Sequence, residues 1–203
     1  MTSFFYFIIK STTICTNCKE KTITFSYDNC INCSIIKSRR KYFESLKDCI
    51  NNYQAKNEYE TTCEFCQKKC KIGKNNEIYT LPKVLVINLK RLKDKWLLQN
   101  EIKYETKLDI GKLIKNKNYK NYEYDLTGII FHQKIGNMGH KYAYIKNIFN
   151  NKWYWCNDSI IQEKREEDIY DESHAFLFVY QIDERDNYSL QKIAEKSNKF
   201  SKI

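Results

Sequence analysis

Proline occurs once, at Pro82, and glycine only five times, so turn signals are few and element boundaries are soft. Arginine is scarce as well. The net charge of +10 comes almost wholly from lysine, with arginine confined to Arg39, Arg40, Arg91, Arg165 and Arg185. Arginine supplies the bidentate forks that read bases, and lysine does not. The lysines are spread along the chain among Asn, Ile and Tyr, as A/T-rich codon usage produces, and read as a basic, soluble surface. Nucleic acid is therefore a disfavoured partner. No apolar run approaches the length that spans a bilayer, so no membrane partner is expected. The opening "MTSFFYFII" lacks a basic n-region and a small-residue cleavage site, and reads as a buried strand, not a signal peptide. An intracellular, reducing compartment, cytoplasmic or nuclear, is the expectation that follows. No internal repeat is visible.

What is present is enough for one domain with a real core: 203 residues, 42% of them hydrophobic and 15% aromatic. "KTITFSYD" (21–28) alternates Ile23, Phe25 and Tyr27 and predicts a strand. "YFESLKDCINNY" (42–53) sets Phe43, Leu46, Ile50 and Tyr53 at helical spacing, with Cys49 beside that face. After Pro82, "KVLVINLKRL" predicts a strand buried on both faces. Further strands are expected at 122–133, 140–149, 152–157 and 174–182, and their short intervals make an antiparallel meander the economical topology. Residues 183–203 turn polar and read as a tail.

Cysteine supplies the first chemical pattern. Cys15 and Cys18 form one CxxC, and Cys63 and Cys66 form another 45 residues later. A CxxC turn aims two sulfurs at one point, and two such knuckles build a closed, tetrahedral Cys₄ site for structural Zn²⁺. A third pair, Cys30 and Cys33, and the extra Cys70 complicate the pairing, and some of these are expected as ordinary buried cysteines.

Histidine supplies the second. Only three occur, and His140 follows Gly139 at the start of an alternating aromatic segment. Gly139 has no Cβ, so a backbone or a substrate tail can approach it closely. Seventeen residues on, after "FNNK", stands "WCNDS". Antiparallel pairing would bring Asn157 or Asp158 to His140, where an amide or carboxylate orients one ring nitrogen and leaves the other as a base. The competing reading is an isolated surface or capping histidine. His132 and His174 lie in strand-like runs and are read as structural.

Taken together, these segments resemble the second half of the ubiquitin-specific protease domain, a family of cysteine deubiquitinases. "CTNC", "ESLKDCI" and "CEFC" stand in the order and spacing of that family's zinc-bearing fingers. "LPKVLVINLKRL" is similar to its "LPxVLxIxLKRF" strand, with Asn88 and Leu92 departing, and "KLDI" (107–110) follows. "YDLTGIIFHQKIG", "MGHKYAYIK", "WYWCNDS" and "HAFLFVY" match its closing motifs, with Met138 and Lys141 departing beside the histidine. The resemblance spans about residues 11–182.

The family likeness implies an α+β fold, mainly antiparallel sheet, with a papain-like palm (about 81–182) and a zinc-binding fingers extension (about 11–80). It implies His140 as general base, Asn157 as its orienting partner and Asp158 adjacent in the same motif. Ubiquitin and ubiquitinated proteins are the partners it implies. The family's nucleophile lies in an upstream box of the type "GLxNLGNTCYxN", and no Gly-Asn-Thr-Cys occurs here. The thumb that carries it is thus expected to be missing, and a separate N-terminal segment or chain is expected to supply the thiolate. The other expectation is an inactive ubiquitin-binding pseudoenzyme or scaffold.

Overall fold

The computed structural model describes residues 3–38, 41–93, 96–114, 122–135, 138–171 and 173–182. The polar tail expected at 183–203 lies outside the described residues. No helix among the described residues is long and apolar enough to cross a membrane.

Two sheets carry the chain. The smaller has four strands in the order β2-β1-β7-β6: β1 (Phe7–Cys15), β2 (Lys21–Asp28), β6 (Asn57–Thr62) and β7 (Lys69–Ile78). Its two hairpins, β1–β2 and β6–β7, are local, and antiparallel pairing of β1 with β7 joins them. The alternation of Ile23, Phe25 and Tyr27 does give a strand, but that face is exposed, Tyr27 by 78%. β2 is an edge strand, and Tyr79 packs against this face, edge-on to Phe25 at 5.3 Å. Likewise the opening strand begins only at Phe7, with Phe4, Phe5 and Tyr6 exposed before it.

The larger sheet has eight strands. Its main order is β15-β14-β13-β12-β16-β8-β3, and β11 pairs with the start of β12. These strands are β3 (Ile31–Ser34), β8 (Val84–Lys90), β11 (Lys107–Asp109), β12 (Glu123–Ile135), β13 (Met138–Asn147), β14 (Lys152–Asn157), β15 (Ile160–Lys164) and β16 (Ala175–Ile182). The meander expected from short loops holds from β12 to β15. It then breaks, because β16 returns to pair with the other side of β12 and carries β8 beyond it. β3 pairs with β8 in parallel, which strand patterns alone did not indicate. Short two-stranded pairs, β4 (Ile36–Ser38) with β5 (Lys41–Tyr42) and β9 (Leu92–Lys93) with β10 (Trp96–Leu97), complete the set.

The one α-helix among the described residues, α1 (Leu46–Tyr53), starts four residues later than the periodicity suggested. Ser45 fixes its start by accepting from the Asp48 N–H, so the chain before it is free to be extended. Leu46, Cys49 and Ile50 face the core, as their 3–4 residue spacing requires. That core also takes Ile31, Cys33 and Ile35 with Leu85, Ile87, Phe131 and Phe178. β3 and α1 thus pack with the larger sheet.

One cation is buried among these side chains. Arg91, 2% exposed, donates from Nε to the Ala175 carbonyl at 2.6 Å and from Nη1 to those of Asn100 and Leu98 at 2.7 and 3.2 Å. Burial lowers its pKa to about 10, still far above neutrality, so the guanidinium stays charged and pins the segment entering β16.

Candidate active site and metal centre

Side chains of β13 alternate between the faces of the larger sheet, with His140, Tyr142 and Tyr144 on one of them. The β12–β13 hairpin sets His140 opposite Gln133. β14 pairs Ala143 with Cys156 and Tyr144 with Trp155, so the register continues to Asn157 beside Tyr142. His140 is then the diagonal neighbour of Asn157 on the same face, within side-chain reach. Their side chains meet: His140 Nε2 lies 2.6 Å from Asn157 Oδ1. With the carbonyl oxygen accepting, Nε2 carries the proton and Nδ1 is left as the proton acceptor.

This pair lines an open cleft of about 620 Å³, walled by Gln133, Tyr142, Tyr144 and Trp155. Tyr142 stacks flat on Phe131 at 5.0 Å and lies 6.4 Å from the imidazole, fixing one side of it. Asp171 in turn holds Tyr142, accepting from its hydroxyl at 3.1 Å. His174 Nδ1 lies 2.8 Å from that carboxylate, and Ser173 Oγ donates to it at 3.0 Å. Burial works to raise the Asp171 carboxyl, but the bonds from His174, Ser173 and Tyr142 prevail and hold it below the usual carboxylate range. His174 thus has a structural setting, closed on its other nitrogen by Gln99 at 3.2 Å. His132 Nε2 sits where a side chain at Gly139 would begin, so the close approach at that glycine is made by a neighbouring ring.

Asp158 is not brought to the imidazole. It is exposed, with φ 51°, in the two-residue turn between Asn157 and its partner Ile160. Asp tolerates that left-handed geometry better than most residues, which accounts for its place in the turn. Cys156 lies on the opposite face, beside Ile145, Tyr154 and Ile161. None of the nine cysteines lines the cleft of His140.

The second site forms at the tip of the four-stranded sheet, where both hairpins turn. Each CxxC adopts the same loop. Lys19 N–H donates to the Cys15 carbonyl at 3.1 Å and Gln67 N–H to that of Cys63 at 2.9 Å. Both loops then leave through a non-glycine residue at positive φ, Lys19 at 63° and Gln67 at 56°. The Sγ atoms of Cys15, Cys18, Cys63 and Cys66 all lie within 4.8 Å of one another. Amide hydrogens of Cys18 and Asn17 point to the Cys15 sulfur at 3.5 and 3.4 Å. The Cys18 amide is the largest influence on that thiol and, against burial, pulls its pKa to about 6. The Asn17 side-chain amide likewise lowers the Cys66 thiol, so four converging thiols, two of them favoured as thiolates, fit a soft tetrahedral ion. Cys30 and Cys33 do not join them: Cys33 is buried in the main core with Cys49, and burial raises all three thiols.

The model of the family described as "Ubiquitin carboxyl-terminal hydrolase" matches residues 1–180. The chain belongs to that family. Among ubiquitin carboxyl-terminal hydrolases, number 4 of Pongo abelii is 28% identical over 159 residues, 73% of this chain and 16% of its own length. Usp2 of Drosophila melanogaster is 30% identical over 179 residues, 85% of this chain and 19% of its own length. The chain therefore spans less than a fifth of these relatives. A solved yeast SAGA DUB module superposes with a TM-score of 0.75 at 24% identity, covering 89% of this chain and 41% of the other. Another, the Ubp8/Sgf11/Sus1/Sgf73 module bound to monoubiquitin, gives 0.72 with the same coverage. At that identity the likeness is one of fold.

One contribution to this hydrolase-family site, Asp171, escaped the sequence, which also leaves the place of the extra Cys70 open. Asp171 is 31 residues from His140 and touches it only through Tyr142. Cys70 comes within 3.3 Å of Cys15, although it belongs to no CxxC.

Proposed function

We propose that this chain is the C-terminal part of a cysteine-type deubiquitinase that hydrolyses ubiquitin–protein isopeptide bonds. The observation that carries the reading is the 2.6 Å contact of His140 Nε2 with Asn157 Oδ1 at an open cleft, in a chain of this family. In this reading Asn157 holds the ring, and His140 Nδ1 takes the proton of a cysteine thiol. The thiolate attacks the carbonyl at the ubiquitin C-terminus, and the protonated imidazole then gives its proton to the leaving lysine amine. Asp158 serves the turn that presents Asn157. Since no cysteine lines the cleft, the nucleophile comes from a preceding segment or a separate chain. Cys15, Cys18, Cys63 and Cys66 hold Zn²⁺ as a structural ion, with every ligand position filled by protein. Ubiquitin is the partner.

A second reading rests on the same lack of a thiol in the cleft: a ubiquitin-binding protein that cuts nothing. The two part on one experiment. The transcript is read upstream of Met1, and whatever frame joins this chain is expressed with it and offered a fluorogenic ubiquitin C-terminal amide. Hydrolysis that falls about 10²–10⁴-fold in His140→Ala upholds the first reading. Ubiquitin binding by this chain, with no Gly-Asn-Thr-Cys box and no hydrolysis, would establish the second.

A further inference from the structure

Five thiols, not four, gather at the tip of the finger sheet. Sulfurs around a zinc ion with 2.3 Å bonds stand about 3.8 Å apart along each edge of the tetrahedron. Cys15 to Cys66, at 4.0 Å, and Cys18 to Cys63, at 3.8 Å, match that spacing. Cys70 does not. Its sulfur lies 3.3 Å from that of Cys15, inside the tetrahedral edge, and outside the group of four. An ion bound by two CxxC knuckles leaves Cys70 uncommitted, yet in contact with a ligand. A disulfide bond is about 2.05 Å long, so roughly 1.2 Å of approach closes this pair. Cys70 is partly exposed, so a small oxidant reaches it from solvent, while Cys15 is buried beneath it.

We propose that Cys70 is an oxidation site whose disulfide with Cys15 unlocks the metal centre, an inference that rests on the Cys₄ zinc reading above. The oxidant is a hydroperoxide, in the simplest case hydrogen peroxide. The Cys70 sulfur attacks one peroxide oxygen, the O–O bond breaks, and the second oxygen leaves with a proton as water. The Cys15 sulfur then attacks Cys70 Sγ, the S–O bond breaks, and that oxygen leaves as a second water. The Cys70 thiol, the metal-bound Cys15 thiolate, one peroxide and one proton from solvent give one disulfide and two waters, and the metal keeps its charge. With Cys15 withdrawn, three thiolates remain to the site. The small core here, Cys15, Cys63 and Ile72, is separate from the main one, so the change stays local to the tip.

The test uses the full chain purified with its zinc and treated with hydrogen peroxide beside a chromogenic zinc chelator, with disulfides mapped by peptide mass spectrometry. Expected are zinc release from the wild type and Cys15–Cys70 as the first disulfide. Cys70→Ser is expected to bind the same one zinc and release it at least about fivefold more slowly. Equal release rates, or a first disulfide at Cys15–Cys18 or Cys63–Cys66, would overturn the proposal. If the wild type carries no zinc, the metal reading has failed, and the disulfide map alone still judges the pair. Should Cys70→Ser not fold, Cys70→Ala takes its place in the rate comparison, and the wild-type map stands in either case.

Discussion

The imidazole of His140 and the carboxamide of Asn157 meet at 2.6 Å because the pairing of β13 with β12 on one side and β14 on the other fixes their register. Their contact decides which ring nitrogen carries the proton. In Asn157→Ala the Nε2–H tautomer loses its partner, and ¹⁵N spectra of the His140 ring are expected to show both tautomers exchanging. In an enzyme completed with its nucleophile, kcat for a ubiquitin amide should fall roughly 10²-fold. Asp158→Asn, which keeps the left-handed turn that presents Asn157, should leave both readouts unchanged.

Tyr142 and Asp171 give a prediction about pH. Burial works against the Asp171 charge, but the bonds from His174, Ser173 and Tyr142 hold its folded carboxyl below the unfolded value. A depressed carboxyl contributes stability that is present above the unfolded pKa of about 3.9 and lost as pH falls through the folded one. Asp171→Asn should therefore flatten the acid limb of the stability curve, as denaturant titrations between neutral and strongly acidic pH would record. A limb as steep as in the wild type would rule out this carboxylate as a contributor.

Removing the metal should separate the two sheets in their behaviour. Cys63→Ser, or chelation of the wild type, is expected to cost the chain its one bound zinc. Amide protection should then vanish from β1, β2, β6 and β7 near the tip while that of β8, β12 and β16 persists, since the two cores are distinct. Hydrogen exchange read by mass spectrometry checks this, and loss of protection in β16 would refute it.

Core packing yields a contrast within one residue type. Phe178 is fully buried in β16, and Phe149 is 94% exposed at the β13–β14 turn. Phe178→Ala should destabilise by about 3–5 kcal/mol, and Phe149→Ala by no more than about 0.5 kcal/mol. Equilibrium denaturation of the two variants measures both.

The sequence made the hairpin of His140 and Asn157 legible because alternation, a short turn and the 17-residue spacing leave little freedom of register. The paired CxxC knuckles were legible for a similar reason: each is a local turn with a fixed direction. The extra Cys70 was visible but its contact with Cys15 was not, because that approach depends on β7 pairing with β1 across 55 residues. The Asp171 anchor is equally non-local. Ile23, Phe25 and Tyr27 misled in another way, since alternation reports a two-faced strand and is silent on whether anything covers the apolar face. The left-handed Lys19 and Gln67 carry no signal at all where glycine would be expected.

The parallel pairing of β3 with β8 has a consequence for how this architecture can be inherited. The backbone builds one half of the finger sheet as β1–β2, leaves to lay down β3 and α1 in the larger core, and only then returns for β6–β7. The fingers are therefore not a cassette. A single deletion that removed them would also excise Ile31, Cys33, Leu46 and Ile50 from the core of the larger sheet, so a lineage that shed its finger strands would need two separate cuts with the stretch between them kept.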